Sequence, residues 1–135
     1  MTPALPNWFR MAMSQYKRVA IAGGPRTGKT VWLAAGVTDR PVINTDAVMN
    51  EAWENVPFVC IQRVKDLDSF VIEGVQVPRC LRKGMEVDAV IWLSKPKAPR
   101  NAGQTAMGLA VATVFEDWRR SFNLHQIPII REPAV

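Results

Sequence analysis

One stretch constrains this chain more than any other: Gly23-Gly24-Pro25-Arg26-Thr27-Gly28-Lys29-Thr30, which fits the spacing G-x-x-x-x-G-K-[ST]. Glycines there let the backbone curl until its N–H groups point inward at an anion, with no Cβ in the way. Lys29 adds a point charge for β- and γ-phosphates, and Thr30 offers a hydroxyl to Mg²⁺. A helix opening near Gly28 would aim its positive dipole end at the same anion. The eight residues Gly23, Gly24, Pro25, Arg26, Thr27, Gly28, Lys29 and Thr30 therefore read as a cradle for a nucleoside triphosphate. The cradle also dictates its flanks. Residues 18–22 form the short apolar run of a buried parallel strand, and residues 31–35 are helix-compatible, with Gly36 placed to end the helix.

The rest of the chain repeats that alternation. Turn chemistry at 38–41 leads into Val42-Ile43-Asn44, a second strand with Asp46 at its carboxyl end. Residues 56–67 place Val56, Cys60, Val64 and Leu67 on one helical stripe, although 58–61 alone would suit a strand. A helix is expected, because parallel strands need a crossover between them. Residues 70–74 form a compact third strand, and Pro78 opens a short helix that Gly84 stops. Residues 87–93 are the clearest strand, and 94–103 an irregular basic loop. Met107, Val111, Val114, Trp118 and Phe122 mark a long helix over 105–122, and residues 126–130 a terminal strand that Pro128 confines to an edge. The pattern βαβαβαβαβ predicts an α/β fold with a parallel sheet and helices on both faces.

Composition adds bounds. A chain of 135 residues makes one domain with a single core, here residues 17–135, preceded by an N-terminal arm at 1–16. A short helix in the arm would put Trp8, Met11 and Ala12 on one side, either against its own domain or as a homo-oligomer contact. No run is long enough for a membrane span and the N-terminal stretch lacks the marks of a secretion signal, so a cytoplasmic protein without a membrane partner is expected, with Cys60 and Cys80 as free thiols. The net charge of +5 suits a polyanion and a nucleotide-phosphate site equally.

Taken together, the glycine-rich stretch, the segment Ile43-Asn44-Thr45-Asp46-Ala47 and the segment Phe70-Val71-Ile72-Glu73-Gly74 resemble the small P-loop kinases that act on nucleosides, nucleotides and polynucleotide ends. The resemblance spans residues 17–130. It implies a three-layer P-loop NTPase fold whose five-stranded parallel sheet has the order 2-3-1-4-5, with Glu73 beside the phosphate loop as the metal-shell acid and residues 95–100 as a lid. ATP or GTP and Mg²⁺ would be the cofactors, with Thr30 and Glu73 on the metal. Two departures stand out: Glu73 replaces the commoner aspartate, and the lid carries one arginine, Arg100, where many members carry several.

Chemistry agrees with these roles. Phosphoryl transfer asks a protein mainly to align two oxygens and neutralise spreading charge. Lys29 and Arg100 supply cations, and Asp46 can accept the proton of an acceptor hydroxyl. The expected activity is transfer of the γ-phosphate to a hydroxyl or phosphate of a small molecule or of a nucleic-acid end. Two alternatives stand beside it: an ATPase coupled to nucleic acid, disfavoured because Gly74 occupies the place of the water-polarising carboxylate, and a nucleotide-binding module without turnover.

Overall fold

The computed structural model describes residues 6–25, 27, 40–45, 52–123 and 126–132. Five strands, β1 Arg18–Gly23, β2 Val42–Asn44, β3 Phe70–Gly74, β4 Ala89–Leu93 and β5 Ile129–Arg131, form one sheet. Every pairing in it is parallel, and the order is β2-β3-β1-β4-β5, as expected. The helices among the described residues are α1 Asn7–Gln15, α2 Val56–Val64, α3 Val77–Arg82 and α4 Ala102–Ser121, with a 3₁₀ turn at Trp53–Asn55 ahead of α2. The helix expected at 31–35 lies outside the described residues, as do Arg26, Gly28, Lys29, Thr30 and Asp46.

Side chains alternate across a strand, so the sheet sorts its apolar residues into two layers. Ala20, Ala22, Phe70, Ile72, Val90 and Trp92 face α2, α3 and α4, which contribute Val56, Cys60, Val64, Val77, Cys80, Leu81, Val111, Phe115 and Trp118. Val19, Ile21, Val71, Ile91 and Leu93 face the other way, onto Phe9, Ala12 and Met13 of α1. Both faces are covered, which is why β3 and β4 are apolar almost end to end and buried throughout.

Helix α1 corrects one expectation. Its buried stripe is Phe9, Ala12 and Met13, spaced i, i+3, i+4, whereas Met11 is 66% exposed. Trp8 lies beside the stripe, edge-on to Phe9 at 5.9 Å. Arg40, just before β2, donates to the carbonyls of Met13 (2.6 Å) and Tyr16 (2.7 Å), so a cation satisfies the end of α1 and fastens it to the sheet. In α4 the deepest side chain is Phe115, not Val114 or Phe122. It stacks on Trp92 at 4.2 Å, while Phe122 is half exposed. That helix also starts earlier than its apolar periodicity suggests, because Asn101 and Gln104 form a capping box: Gln104 N–H donates to the Asn101 side chain (2.8 Å), and Asn101 N–H to the Gln104 side chain (3.1 Å).

At the amino edge of the sheet, Asp88 ties β4 to β1. Its carboxylate accepts from the Arg18 backbone N–H (2.9 Å) and guanidinium (2.8 Å). That guanidinium holds the Asp88 carboxyl below its ordinary range, and Asp88 in turn raises Arg18. Cys60 and Cys80 are free, buried and hydrogen-bonded to each other, the shared bond and burial pushing the Cys80 thiol up. No helix among the described residues is long and apolar enough to cross a membrane.

Candidate functional site

The order β2-β3-β1-β4-β5 creates a topological switch point: the chain leaves β1 for β2 on one side and later leaves β3 for β4 on the other. Such a point marks the carboxyl ends of β1 and β3, where open α/β sheets gather ligands in a crevice. The glycine-rich stretch begins there, since β1 ends at Gly23.

The start of that stretch is tightly held. A Cβ on Gly23 would lie 2.6 Å from the Leu93 carbonyl oxygen of β4, and one on Gly24 would lie 2.8 Å from the Gly108 Cα of α4. Only glycine lets the backbone run this close to its neighbours. Thr27 is buried and donates its hydroxyl to the Gly24 carbonyl at 2.9 Å, which curls the segment back on itself.

Two cations of the 94–101 loop reach the same stretch from the far side. Arg100 Nε donates to the Pro25 carbonyl at 2.7 Å, and its terminal nitrogens lie against Gly24 and Gly108. Lys97 Nζ donates to the Thr27 carbonyl (3.3 Å), the Lys95 carbonyl (3.0 Å) and Glu132 Oε2 (2.5 Å). The expected lid thus carries cations that grip backbone carbonyls of the glycine-rich stretch, and Glu132 beyond β5 steadies one of them.

Glu73, the last residue but one of β3, is 3% exposed, in register with Ile21 of β1 on one side and Asn44 of β2 on the other. A buried carboxylate is costly unless its oxygens are engaged, and its place beside β1 brings it to the edge where Gly23 starts the turn. Gly74 follows with φ +137°, and a Cβ there would fall 1.8 Å from Thr45 Oγ1. Thr45, immediately after β2, is 2% exposed and its hydroxyl has no hydrogen-bond partner among the described residues. The same holds for Oε1 of Gln76, 3% exposed in the turn between β3 and α3. Leaving a buried polar atom unpaired costs about 1–3 kcal/mol, so both atoms need partners from beyond the described residues.

Of the expected site residues, the fold gathers Gly23, Gly24, Pro25, Thr27, Glu73 and Arg100 at the carboxyl edge. Arg26, Gly28, Lys29, Thr30 and Asp46 fall outside the described residues, the last directly after Thr45. Sequence reasoning passed over Thr45, Gln76, Gly108 and the Lys97–Glu132 pair. Gly108 had a readable signal, an isolated glycine inside a helical pattern. The other three had none, because their pairings or lack of them are long-range. Among the described residues no group of three or more His, Cys, Asp or Glu side chains is placed to hold a metal ion. In comparisons with known proteins the chain matches no family model, no curated protein and no solved structure.

Proposed function

We propose that the chain is a P-loop phosphotransferase that binds ATP or GTP with Mg²⁺ at residues 23–30 and moves the γ-phosphate to a hydroxyl or phosphate acceptor. The observation that carries the reading is placement: a G-x-x-x-x-G-K-[ST] segment leaves the central strand at the switch point of a 2-3-1-4-5 parallel sheet, with a buried glutamate one residue before the end of the neighbouring strand β3. Mg²⁺ characteristically takes one or two protein oxygens and completes its shell with phosphates and water, so Thr30 and Glu73 fit it without a cluster of acids. When bound, the ion neutralises charge on the β- and γ-phosphates.

In this reading the chain's own groups divide the remaining work. Backbone N–H groups of the glycine-rich stretch and Lys29 bind the phosphates. Arg100 holds the stretch in shape through the Pro25 carbonyl, and its terminal nitrogens, lying at Gly24, are left to meet developing charge. Asp46, one residue past Thr45, orients the acceptor hydroxyl and takes its proton. Thr45 Oγ1 and Gln76 Oε1 supply polar contacts at the acceptor side of the crevice.

Lys29→Ala tests the binding step. The variant is expected to keep the parent's circular dichroism and lose triphosphate binding in calorimetry; affinity equal to the parent's would overturn the assignment. Transfer is tested with γ-labelled ATP and GTP against pooled nucleosides, nucleotides and 5′-hydroxyl oligonucleotides. Label found in free phosphate alone would replace the transferase with an ATPase.

A further inference from the structure

On the helical face of α2 and α3, two aromatic side chains stand in water. Trp53 is 42% exposed and Phe58 53% exposed, although the core could have used both. Each has a cation over its ring: Arg79 lies 5.5 Å from the Trp53 centroid, and Lys83 Nζ 5.6 Å from the Phe58 centroid. Such pairs occur about once per 70–80 residues, so two side by side on neighbouring helices are a concentration. Residues 52–64 and 77–83 carry Arg63, Arg79, Arg82 and Lys83 against the single acid Glu54. Arg82 is paired with Asp117 at 3.3 Å, but Arg79 and Lys83 have no acidic partner among the described residues.

The two pairs are also ordered along the fold. Helix α3 starts from the carboxyl end of β3, and α2 runs down toward the amino end of that strand, so both helices descend from the same edge. Trp53 and Arg79 stand at the top, near the carboxyl edge, with Phe58 and Lys83 below them. Arg79 and Lys83 are four residues apart, about 6 Å at 1.5 Å per residue. That spacing is comparable with successive phosphates of an extended single strand.

We propose that this strip binds single-stranded nucleic acid, with bases stacked on the open faces of Trp53 and Phe58 and phosphates on Arg79 and Lys83. Aromatic platforms interleaved with cations are what an unpaired strand needs: every base has a π-face, and every linkage carries a charge. An acidic peptide would use the cations and leave both rings idle. Because the strip rises to the edge where Gly23 begins, a strand lying on it would present its end at the crevice. The acceptor would then be a polynucleotide end; that last step rests on the phosphotransferase reading, whereas binding to the strip does not.

The experiment is fluorescence anisotropy of a short labelled oligo-dT with no nucleoside triphosphate present, over a range of salt. The parent is expected to bind, and Trp53→Ala and Phe58→Ala to weaken binding about tenfold each with unchanged melting temperature. Arg79→Gln and Lys83→Gln are expected to flatten the dependence of log K on log salt by about 0.7 for each phosphate contact removed. Lys29→Ala should bind oligo-dT like the parent, which separates failure of the strip from failure of the triphosphate site. No binding by the parent at low salt, parental affinity in all four strip variants, tighter binding of duplex DNA, or displacement by polyglutamate as effective as by unlabelled oligo-dT would each overturn the proposal.

Discussion

Gly74→Ala is the perturbation that most directly tests how the carboxyl edge is built. Gly74 has φ +137°, a conformation that L side chains rarely adopt, and holding alanine there costs about 1–3 kcal/mol. The added methyl would also meet Thr45, lying 1.8 Å from Oγ1, 2.9 Å from Cβ and 3.2 Å from the backbone nitrogen. Rotation of the Thr45 side chain would clear the hydroxyl but not the other two atoms. The segment after β2 must therefore move, an overpacking cost of about 1–3 kcal/mol. Together the two effects come to about 2–6 kcal/mol, against a stability of about 5–15 kcal/mol for a domain. With an unfolding entropy near 2.1 cal/mol/K per residue, a loss of about 3 kcal/mol lowers the melting temperature by about 10 °C for a chain of this length. Thermal melts and urea titrations read it. Thr45→Gly removes Oγ1 and Cβ, the two nearer of those atoms, so the double variant should recover most of the steric part and leave the backbone part. A Gly74→Ala variant within about 1 kcal/mol of the parent would refute the reasoning, because strain and contact would then both be absent.

Three further outcomes are expected. Asp46→Asn keeps the size and removes the charge, so nucleotide affinity should hold while phosphoryl transfer falls by about 10²- to 10⁴-fold; transfer at the parental rate would reduce Asp46 to a turn residue. Gly108→Ala places a methyl 2.7 Å from an Arg100 terminal nitrogen, so helix propensity should favour the variant by about 1 kcal/mol while triphosphate affinity falls, and calorimetry showing parental affinity would separate Arg100 from the site. Asp88 has its carboxyl lowered in the folded chain by Arg18, so the stability it contributes is present above the unfolded carboxylate value and lost as pH falls through the lower, folded value. Because both side chains are about a third exposed, at 33% and 34%, Asp88→Asn should cost about 1 kcal/mol or less at neutral pH and shrink the acid-side loss of stability in pH-dependent melts; an unchanged acid limb would contradict the linkage.

Strands and layers were legible because they follow from local signals, whereas the strand order came with the resemblance carried by residues 23–30, 43–47 and 70–74. Each central strand is an uninterrupted apolar run, each crossover is long enough for a helix, and the stop signals are glycine and proline. The errors lie where two stripes of similar hydrophobicity compete. In α1, Trp8-Met11-Ala12 and Phe9-Ala12-Met13 both fall at i, i+3 and i+4, so spacing cannot choose between them, and the fold buries the second. In α4, Val114 and Phe115 are adjacent, and the choice falls to the residue that can stack on Trp92, a partner 23 positions away.

The carboxyl edge divides in the same way. The glycine spacing and Glu73 are readable because a tight turn and the end of a strand are each written within a few consecutive residues. Thr45 and Gly74 become a contact only when β2 is laid beside β3, and Gly24 and Gly108 only when α4 is laid across the end of β1. Both contacts need a glycine, so the fold places its strictest steric demands at the edge where the crevice opens. That geometry brings two chain segments closer than any side chain would allow, and it leaves Thr45 Oγ1 buried there without a partner among the described residues. If the edge served the core alone, a valine at position 45 would fill the space as well as threonine and remove an unpaired hydroxyl. A hydroxyl kept there costs about 1–3 kcal/mol unless a group beyond the described residues completes it.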